Sequence, residues 1–180
     1  MPTSEHWQIP HVVDLIARAK PERVLDVGAG YGKYGVLARE YGGAKRVDAA
    51  DAVAPIFHVY DHVYLGDLAD LERVLPAEAT GYDLALFIDV IEHFEKEVGY
   101  RVLDQLTRRA RRVLVATPLG FRPQEVPGLP FETHRSGWRP DDFRRRYRVE
   151  AMRQFPGHYS RWLRIPKLWQ LVALVSARAA

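Results

Sequence analysis

The most specific chemical signal in the chain is the glycine-rich segment Gly28-Ala29-Gly30-Tyr31-Gly32. It directly follows Val24-Leu25-Asp26-Val27, an apolar run that is typical of a buried strand. Glycines at a strand end permit a tight turn and let backbone N–H groups approach a ligand at the start of the next helix. The segment therefore predicts a cofactor-binding loop.

The spacing of these glycines does not match the fingerprint of a nicotinamide dinucleotide. That fingerprint is G-x-G-x-x-G from the strand end, and counting from Gly28 places Lys33 where the third glycine belongs. The fingerprint fits only if it starts two residues later, at Gly30. The pattern in register is Asp26-x-Gly28-x-Gly30-x-Gly32, which favours a cofactor without a pyrophosphate.

Aspartates follow three further predicted strands. Asp51 comes 23 residues after Gly28, Asp67 follows the predicted strand 62–65, and Asp89 follows the apolar run 82–88. In a parallel sheet, ligands bind beyond the carboxyl ends of the strands, where these side chains would meet. Taken alone, Asp51 or Asp67 could simply cap a turn, but their succession after the glycine loop favours ligand binding.

These motifs resemble those of the class I methyltransferases that use S-adenosylmethionine, and the resemblance covers nearly the whole chain. It implies that the glycine loop surrounds the methionine part and ribose of the cofactor. It also implies that Asp51 accepts from both ribose hydroxyls and that Asp67 accepts from the adenine amino group. Asp48 lies inside a predicted strand, so Asp51 is preferred. The implied cofactor-binding residues are Asp26, Gly28, Ala29, Gly30, Tyr31, Asp51, Ala52, Asp67, Leu68 and Asp89, of which Asp26 is expected to brace the loop.

Two histidines and one aspartate are candidates for catalysis. The resemblance places the stretch 89–94 next to the transferred methyl group, and His134 lies in a long loop predicted over 117–138. A hydroxyl acceptor must lose a proton, for which a histidine is suited. We expect Asp89, His93 and His134 around the acceptor, although His93 could instead only satisfy a helix N-terminus. The same three residues could hold a metal, but no metal-binding spacing supports one, so none is expected.

The long loop also bears on the acceptor. His134-Arg135-Ser136-Gly137-Trp138, with Pro123-Gln124 before it and Asp141-Asp142-Phe143 after it, resembles a subgroup of bacterial methyltransferases suspected of acting on sugars or glycan precursors. This resemblance implies a small-molecule acceptor, such as a sugar or another hydroxyl compound. Whether O, N or C is methylated stays open.

The elements that must position these residues follow from the hydrophobic pattern. Helices are predicted over 4–20 with Ser4 as its cap, 36–41, 68–75, 95–111 and 141–147. Strands are predicted over 24–27, 46–50, 62–65, 82–88, 113–116, 148–155 and 169–177, the last two closing one edge of the sheet. The order predicts an α/β fold, a Rossmann-like doubly wound seven-stranded sheet that is mostly parallel with an antiparallel C-terminal strand. The expected site lies at the strand ends Gly28, Asp51, Asp67, Asp89 and Thr117.

Length and composition limit the alternatives. The 180 residues fit a single domain over 1–180, and the absence of cysteine excludes disulfides, thiolate metal sites and a cysteine nucleophile. There is no apolar run of the roughly 20 residues that a membrane span needs, and a cytoplasmic location is expected.

Charge is uneven along the chain, and it leaves other partners open. Residues 139–180 carry ten basic and three acidic side chains, interleaved with aromatics such as Tyr159 and Trp162. This pattern could mark a solvated surface, weak association with a membrane surface, or nucleic acid, which we consider unlikely as a partner. A protein methyltransferase, a nicotinamide-dependent reductase and a non-catalytic binding protein of the same fold are the remaining alternatives. The oligomeric state stays open.

Overall fold

A computed structural model describes residues 4–157 and 169–178. Seven strands form one sheet: β1 (Arg23–Val27), β2 (Arg46–Asp51), β3 (His62–Leu65), β4 (Tyr82–Ile88), β5 (Ala110–Pro118), β6 (Arg148–Pro156) and β7 (Trp169–Ser176). Their order is β3-β2-β1-β4-β5-β7-β6. The first five strands are parallel, and β7 pairs antiparallel with both β5 and β6. The predicted fold class is confirmed.

Helices cover both faces of the sheet. They are α1 (Ile9–Ala19), α2 (Lys33–Gly42), α3 (Leu71–Val74), α4 (Lys96–Arg109) and α5 (Pro140–Arg144), with 3-10 turns at Leu68–Asp70, Ile91–His93 and Pro130–Glu132. Alternate residues of β4 point to opposite cores. Leu84 and Leu86 pack with α1 and α2, whereas Ala85 and Phe87 pack with α3, α4 and α5. The continuous apolar run in β4 follows from this burial on both faces.

The predicted start of the first helix at Ser4 is wrong. The helix begins at Ile9, with Pro10 in its first turn, where the missing N–H of proline costs no hydrogen bond. The segment before it crosses the carboxyl edge of the sheet, and Gln8 is fully buried there. The pattern of apolar residues could not locate this boundary because the segment 4–8 is held by polar contacts.

The last two strands do not simply extend the sheet in chain order. β7 lies between β5 and β6, and its residues 170–175 are buried, so β6 forms the edge. The aromatic and basic residues at 158–168, including Tyr159 and Trp162, lie outside the described residues. Within 4–157 and 169–178, no helix combines the length and apolarity needed to cross a membrane.

The loop between β5 and α5 is closed at its base. Leu119 and Gly120 bridge to Trp138, and the Gly120 N–H donates to the Trp138 carbonyl at 2.7 Å. Trp138 is fully buried, and the Lys96 ammonium lies 3.8 Å from the centroid of its ring. Lys96 also donates to the Gly137 carbonyl at 2.6 Å. These contacts fix both ends of the loop, so its middle returns across the strand ends.

Candidate active site

A cavity of about 880 Å³ lies at the carboxyl edge of the parallel strands. It is lined by the turns after β1, β2, β3 and β4, by the segment before α1, and by the loop after β5. Among the predicted site residues, the structure brings the following into its wall: Gly28, Ala29, Gly30, Tyr31, Asp51, Ala52, Asp67, Leu68, Asp89, His93 and His134. Asp26 and Thr117 are buried beside the cavity but do not line it.

The glycine loop is shaped by a close approach of two turns. Gly28 has φ +78°, and a Cβ at this position would lie 2.2 Å from a methyl carbon of Val90, in the turn after β4. Only glycine allows both this dihedral angle and this contact. The Gly28 N–H donates to the Ala50 carbonyl at 2.8 Å, which ties the loop to β2.

Asp51 connects the glycine loop to the turn after β2. Its Oδ2 accepts from the Gly30 N–H at 2.8 Å, and its Oδ1 accepts from the Val53 N–H at 3.0 Å. A carboxylate offers about four lone-pair directions. Asp51 can therefore hold the loop and still accept hydrogen bonds from a ligand in the cavity.

Asp67 caps a turn and also lines the cavity. Its Oδ1 accepts from the Ala69 N–H at 2.9 Å and so caps the 3-10 turn that follows. The side chain is exposed and lines the cavity beside the buried Leu68. Capping fixes the direction of the carboxylate relative to the cavity wall.

Asp26 is buried in β1, two residues before the glycine loop. The Tyr60 hydroxyl donates to its Oδ2 at 2.6 Å, and the residue is only 2% exposed. Burial raises the pKa of Asp26 to about 7, although the hydrogen bond from Tyr60 opposes this change. Asp26 therefore lies outside the cavity wall with Tyr60 and the Gly35 backbone as partners, and its bracing of the loop stays a prediction.

Asp89 lies in a strained turn and has partners that the sequence analysis missed. Its φ is +55°, in the left-handed region that non-glycine residues rarely adopt. The Gln8 side-chain amide donates to its Oδ2 at 2.8 Å, across the cavity edge. Burial raises the pKa of Asp89, whereas the nearby Lys33 lowers it. Gln8 gave no sequence signal because it precedes α1 and is far from Asp89 along the chain.

Glu92, His93 and His134 form a compact cluster on the wall of the cavity. Each offers one ligand atom, and these atoms all lie within 4.8 Å of one another. The two imidazole rings are 4.9 Å apart. Sequence reasoning named both histidines as candidates but did not single out Glu92, although Glu92 lies in the stretch 89–94 that the resemblance places next to the transferred methyl group.

Burial disfavours the charged form of all three groups of this cluster. It lowers the pKa of His93 and of His134, and the two imidazoles are close enough that His93 lowers the pKa of His134 further. It raises the pKa of Glu92 well above its usual range, and the nearby Asp89 raises it further. The backbone carbonyls of Thr133 and Asp89 act in the opposite direction on His93.

Comparisons with known proteins identify the fold. No family model matches the chain, and no curated protein matches it. Solved structures do match. The N1-methyltransferase for 1,6-didemethyltoxoflavin from Burkholderia thailandensis, with bound 1,6-didemethyltoxoflavin and S-adenosylhomocysteine, has a TM-score of 0.67 and 17% identity over 96% of this chain and 81% of that chain.

Two further solved methyltransferase structures match the chain with similar TM-scores. The N-methyltransferase NodS from Bradyrhizobium japonicum, in complex with S-adenosylhomocysteine, has a TM-score of 0.65 and 11% identity over 98% of this chain and 94% of that chain. The methyltransferase domain of bacterial CtHen1-C has a TM-score of 0.65 and 18% identity over 96% of this chain and 97% of that chain. The chain therefore has the Rossmann-like fold of the S-adenosylmethionine-dependent methyltransferases.

Asp26 should make the stability of the protein depend on pH. The pKa of Asp26 is raised from 3.8 to about 7 in the folded state. The contribution of this group to the free energy of unfolding is therefore fully present below pH 3.8 and is lost as the pH rises to about 7. We expect the free energy of unfolding of the wild type to fall over this range by up to about 4 kcal/mol relative to that of Asp26→Asn, which cannot ionise. Urea unfolding at several pH values measures this difference.

A matched control is Asp70→Asn, which removes an exposed carboxylate that does not line the cavity. Its pH curve should run parallel to that of the wild type. If the curve of Asp26→Asn also ran parallel, the buried carboxylate would not be protonated in the folded protein.

Proposed function

We propose that this chain binds S-adenosylmethionine and transfers its methyl group to a small hydroxyl compound, such as a sugar. The observation that carries the proposal is the arrangement of the Asp51–glycine-loop unit and the Glu92, His93 and His134 cluster on the wall of one cavity. The first can bind a nucleoside, and the second faces the place where the reactive group would lie.

The cofactor part of the proposal rests on the strand ends. Asp51 accepts from the two ribose hydroxyls with the lone pairs that Gly30 and Val53 do not use. Asp67 accepts from the adenine amino group, beside the apolar surface of Leu68. The glycine loop runs along the methionine part of the cofactor, where backbone N–H groups and the start of α2 favour acceptor atoms.

The acceptor part of the proposal rests on the space that remains. Ligand cavities in proteins measure roughly 300 to 1,000 Å³, so 880 Å³ holds a nucleoside cofactor together with a small acceptor. Arg122, Gln124 and Arg135 of the loop line this part of the cavity. Such polar side chains suit a compound with several hydroxyl groups.

Methyl transfer to a hydroxyl places few demands on the protein. The acceptor oxygen forms a bond to the methyl carbon, the bond from carbon to sulfur breaks with its electron pair going to sulfur, and the hydroxyl proton leaves. The cofactor supplies the reactive methyl group. The protein aligns oxygen, carbon and sulfur, and it removes the proton at the imidazole pair of His93 and His134.

Calorimetry with S-adenosylhomocysteine tests the cofactor assignment. Asp51→Asn replaces one acceptor oxygen with a donor, and hydrogen bonds to a charged group contribute about 1.5 to 3 kcal/mol. We therefore expect affinity to fall at least about tenfold. Asp70→Asn, which changes an exposed aspartate outside the cavity wall, should bind like the wild type.

Because Asp51 also holds the glycine loop, a second ligand separates binding from folding. An analogue of S-adenosylhomocysteine without the ribose 2′-hydroxyl should bind more weakly than the parent compound to the wild type but nearly equally to Asp51→Asn. Tighter binding of NADH than of S-adenosylhomocysteine would contradict the proposal and favour a reductase.

Turnover with a hydroxyl acceptor found by screening tests the role of the histidines. His93→Ala or His134→Ala should lower turnover by roughly 10²- to 10⁴-fold while affinity for S-adenosylhomocysteine stays unchanged. His58→Ala, at an exposed position outside the cavity wall, should have no effect.

The pH dependence of turnover provides a separate check on the histidines. Because burial lowers the pKa of both imidazoles, the rate should fall with acid only below the usual value of 6.5. If both alanine variants kept near-native turnover, the acceptor would not need to lose a proton at this pair.

A further inference from the structure

We propose that Glu92, His93 and His134 bind a divalent transition-metal cation in the wall of the cavity. Each residue places one ligand atom within 4.8 Å of the others, and all three line the cavity. The sequence analysis expected no metal because the chain has no metal-binding spacing. The structure builds the cluster from two segments that are far apart in the chain.

Each histidine can offer the lone pair of its Nε2 atom to a metal. His134 Nδ1 lies 2.7 Å from the Arg122 carbonyl oxygen, and His93 Nδ1 lies 3.3 Å from the Thr133 carbonyl oxygen. A carbonyl oxygen only accepts, so the neutral ring of His134 carries its proton on Nδ1 and keeps the lone pair of Nε2, and His93 does the same when it donates to Thr133 rather than to the Asp89 carbonyl. Histidines that ligate metals are typically oriented in this way, by a hydrogen bond from the other ring nitrogen.

Glu92 is the independent indication of a ligand. The residue is 3% exposed, and its Oε2 makes no hydrogen bond of ordinary geometry among residues 4–157 and 169–178, although the Thr117 hydroxyl lies close enough to lower the pKa of the carboxyl. A buried polar atom without a partner is costly, and a buried ionised carboxylate is more so. A divalent cation at this position would satisfy the oxygen and favour its ionised form.

The backbone holds the two segments of the cluster together. The Arg135 and Ser136 N–H groups donate to the Glu92 carbonyl at 2.8 and 3.1 Å, and the His134 N–H donates to the Gln124 carbonyl at 3.0 Å. Ligands of a tetrahedral zinc ion, each about 2.1 Å from the metal, are about 3.4 Å apart. The ligand atoms lie within 4.8 Å of one another, so the side chains would have to move closer together by up to about 1.4 Å when a cation binds.

The donor set indicates the class of cation. Two imidazole nitrogens and one carboxylate oxygen suit Zn²⁺, Co²⁺ or Mn²⁺ better than Ca²⁺ or Mg²⁺, which prefer oxygen ligands alone. Asp89 lines the same cavity, but its Oδ2 accepts from Gln8, so it is not needed as a ligand. Three protein ligands leave coordination positions open on the cavity side, as in catalytic sites.

A bound cation would change how the acceptor loses its proton. A metal lowers the pKa of an oxygen that it binds, so the acceptor hydroxyl would release its proton to water before transfer, with both histidines acting as ligands. This consequence rests on the proposed function, whereas binding of the cation does not.

Calorimetric titration of the full chain with ZnCl₂, CoCl₂ and MnCl₂ tests the site. We expect one cation per chain, with affinity at least about tenfold lower in His93→Ala, His134→Ala and the isosteric Glu92→Gln than in the wild type. His58→Ala, which removes an exposed histidine outside the cavity wall, should bind as tightly as the wild type. The visible spectrum of bound Co²⁺ should change in the three cluster variants only.

The metal site would be overturned if the wild type bound none of the three cations. It would also be overturned if the three cluster variants bound a cation as tightly as the wild type. Thermal unfolding shows which variants are folded. If Glu92→Gln does not fold, His134→Ala still tests the site, because a substitution on a loop disturbs folding less. Titration of the same samples with S-adenosylhomocysteine separates the two proposals. Cation binding without binding of S-adenosylhomocysteine would contradict the proposed function alone, and the reverse would contradict the metal site alone.

Discussion

The Asp51 carboxylate joins the turn after β1 to the turn after β2, and the shape of the cavity depends on this contact. One oxygen accepts from Gly30 and the other accepts from Val53. Backbone N–H groups of a glycine loop have no fixed direction without such a partner, because glycine adopts many conformations. Next to the loop, the buried Asp26 accepts a hydrogen bond from the partly buried Tyr60. Of these two aspartates, Asp51 holds the loop directly and lines the cavity, whereas Asp26 does not line it.

The other half of the cavity is positioned by a different mechanism. The loop after β5 has no regular structure of its own beyond one 3-10 turn, yet its ends are fixed by the buried Trp138 and by Lys96. Its middle is then tied to the carbonyl of Glu92 by two backbone N–H groups. These contacts explain how His134 comes to lie beside His93 although the two residues belong to different elements. Trp138 and Lys96 do not line the cavity, but substitutions at these residues would affect the position of His134 in its wall.

The sequence predicted those parts of the fold and site that depend on local pattern. Six strands could be bounded to within one residue from their hydrophobic pattern, whereas β5 (Ala110–Pro118) begins inside the predicted helix 95–111 and extends past the predicted strand 113–116 at both ends. The glycine loop and the strand-end residues Asp51, Asp67 and Asp89 could be placed at one cavity because a parallel sheet brings its carboxyl ends together. The position of β7 between β5 and β6 could not, because hydrophobic alternation identifies a strand but not its neighbours. Gln8 and Glu92 were missed for a related reason, since their importance comes from contacts that only the folded chain creates.

A crystal structure of the protein with S-adenosylhomocysteine would test the central claim, which is that the strand ends form a site for this cofactor, most directly. We expect both ribose hydroxyls on Asp51, the adenine amino group on Asp67, and the sulfur atom directed towards the cluster of Glu92, His93 and His134. A complex in which the ribose lies away from Asp51, or in which the sulfur points away from that cluster, would contradict the account.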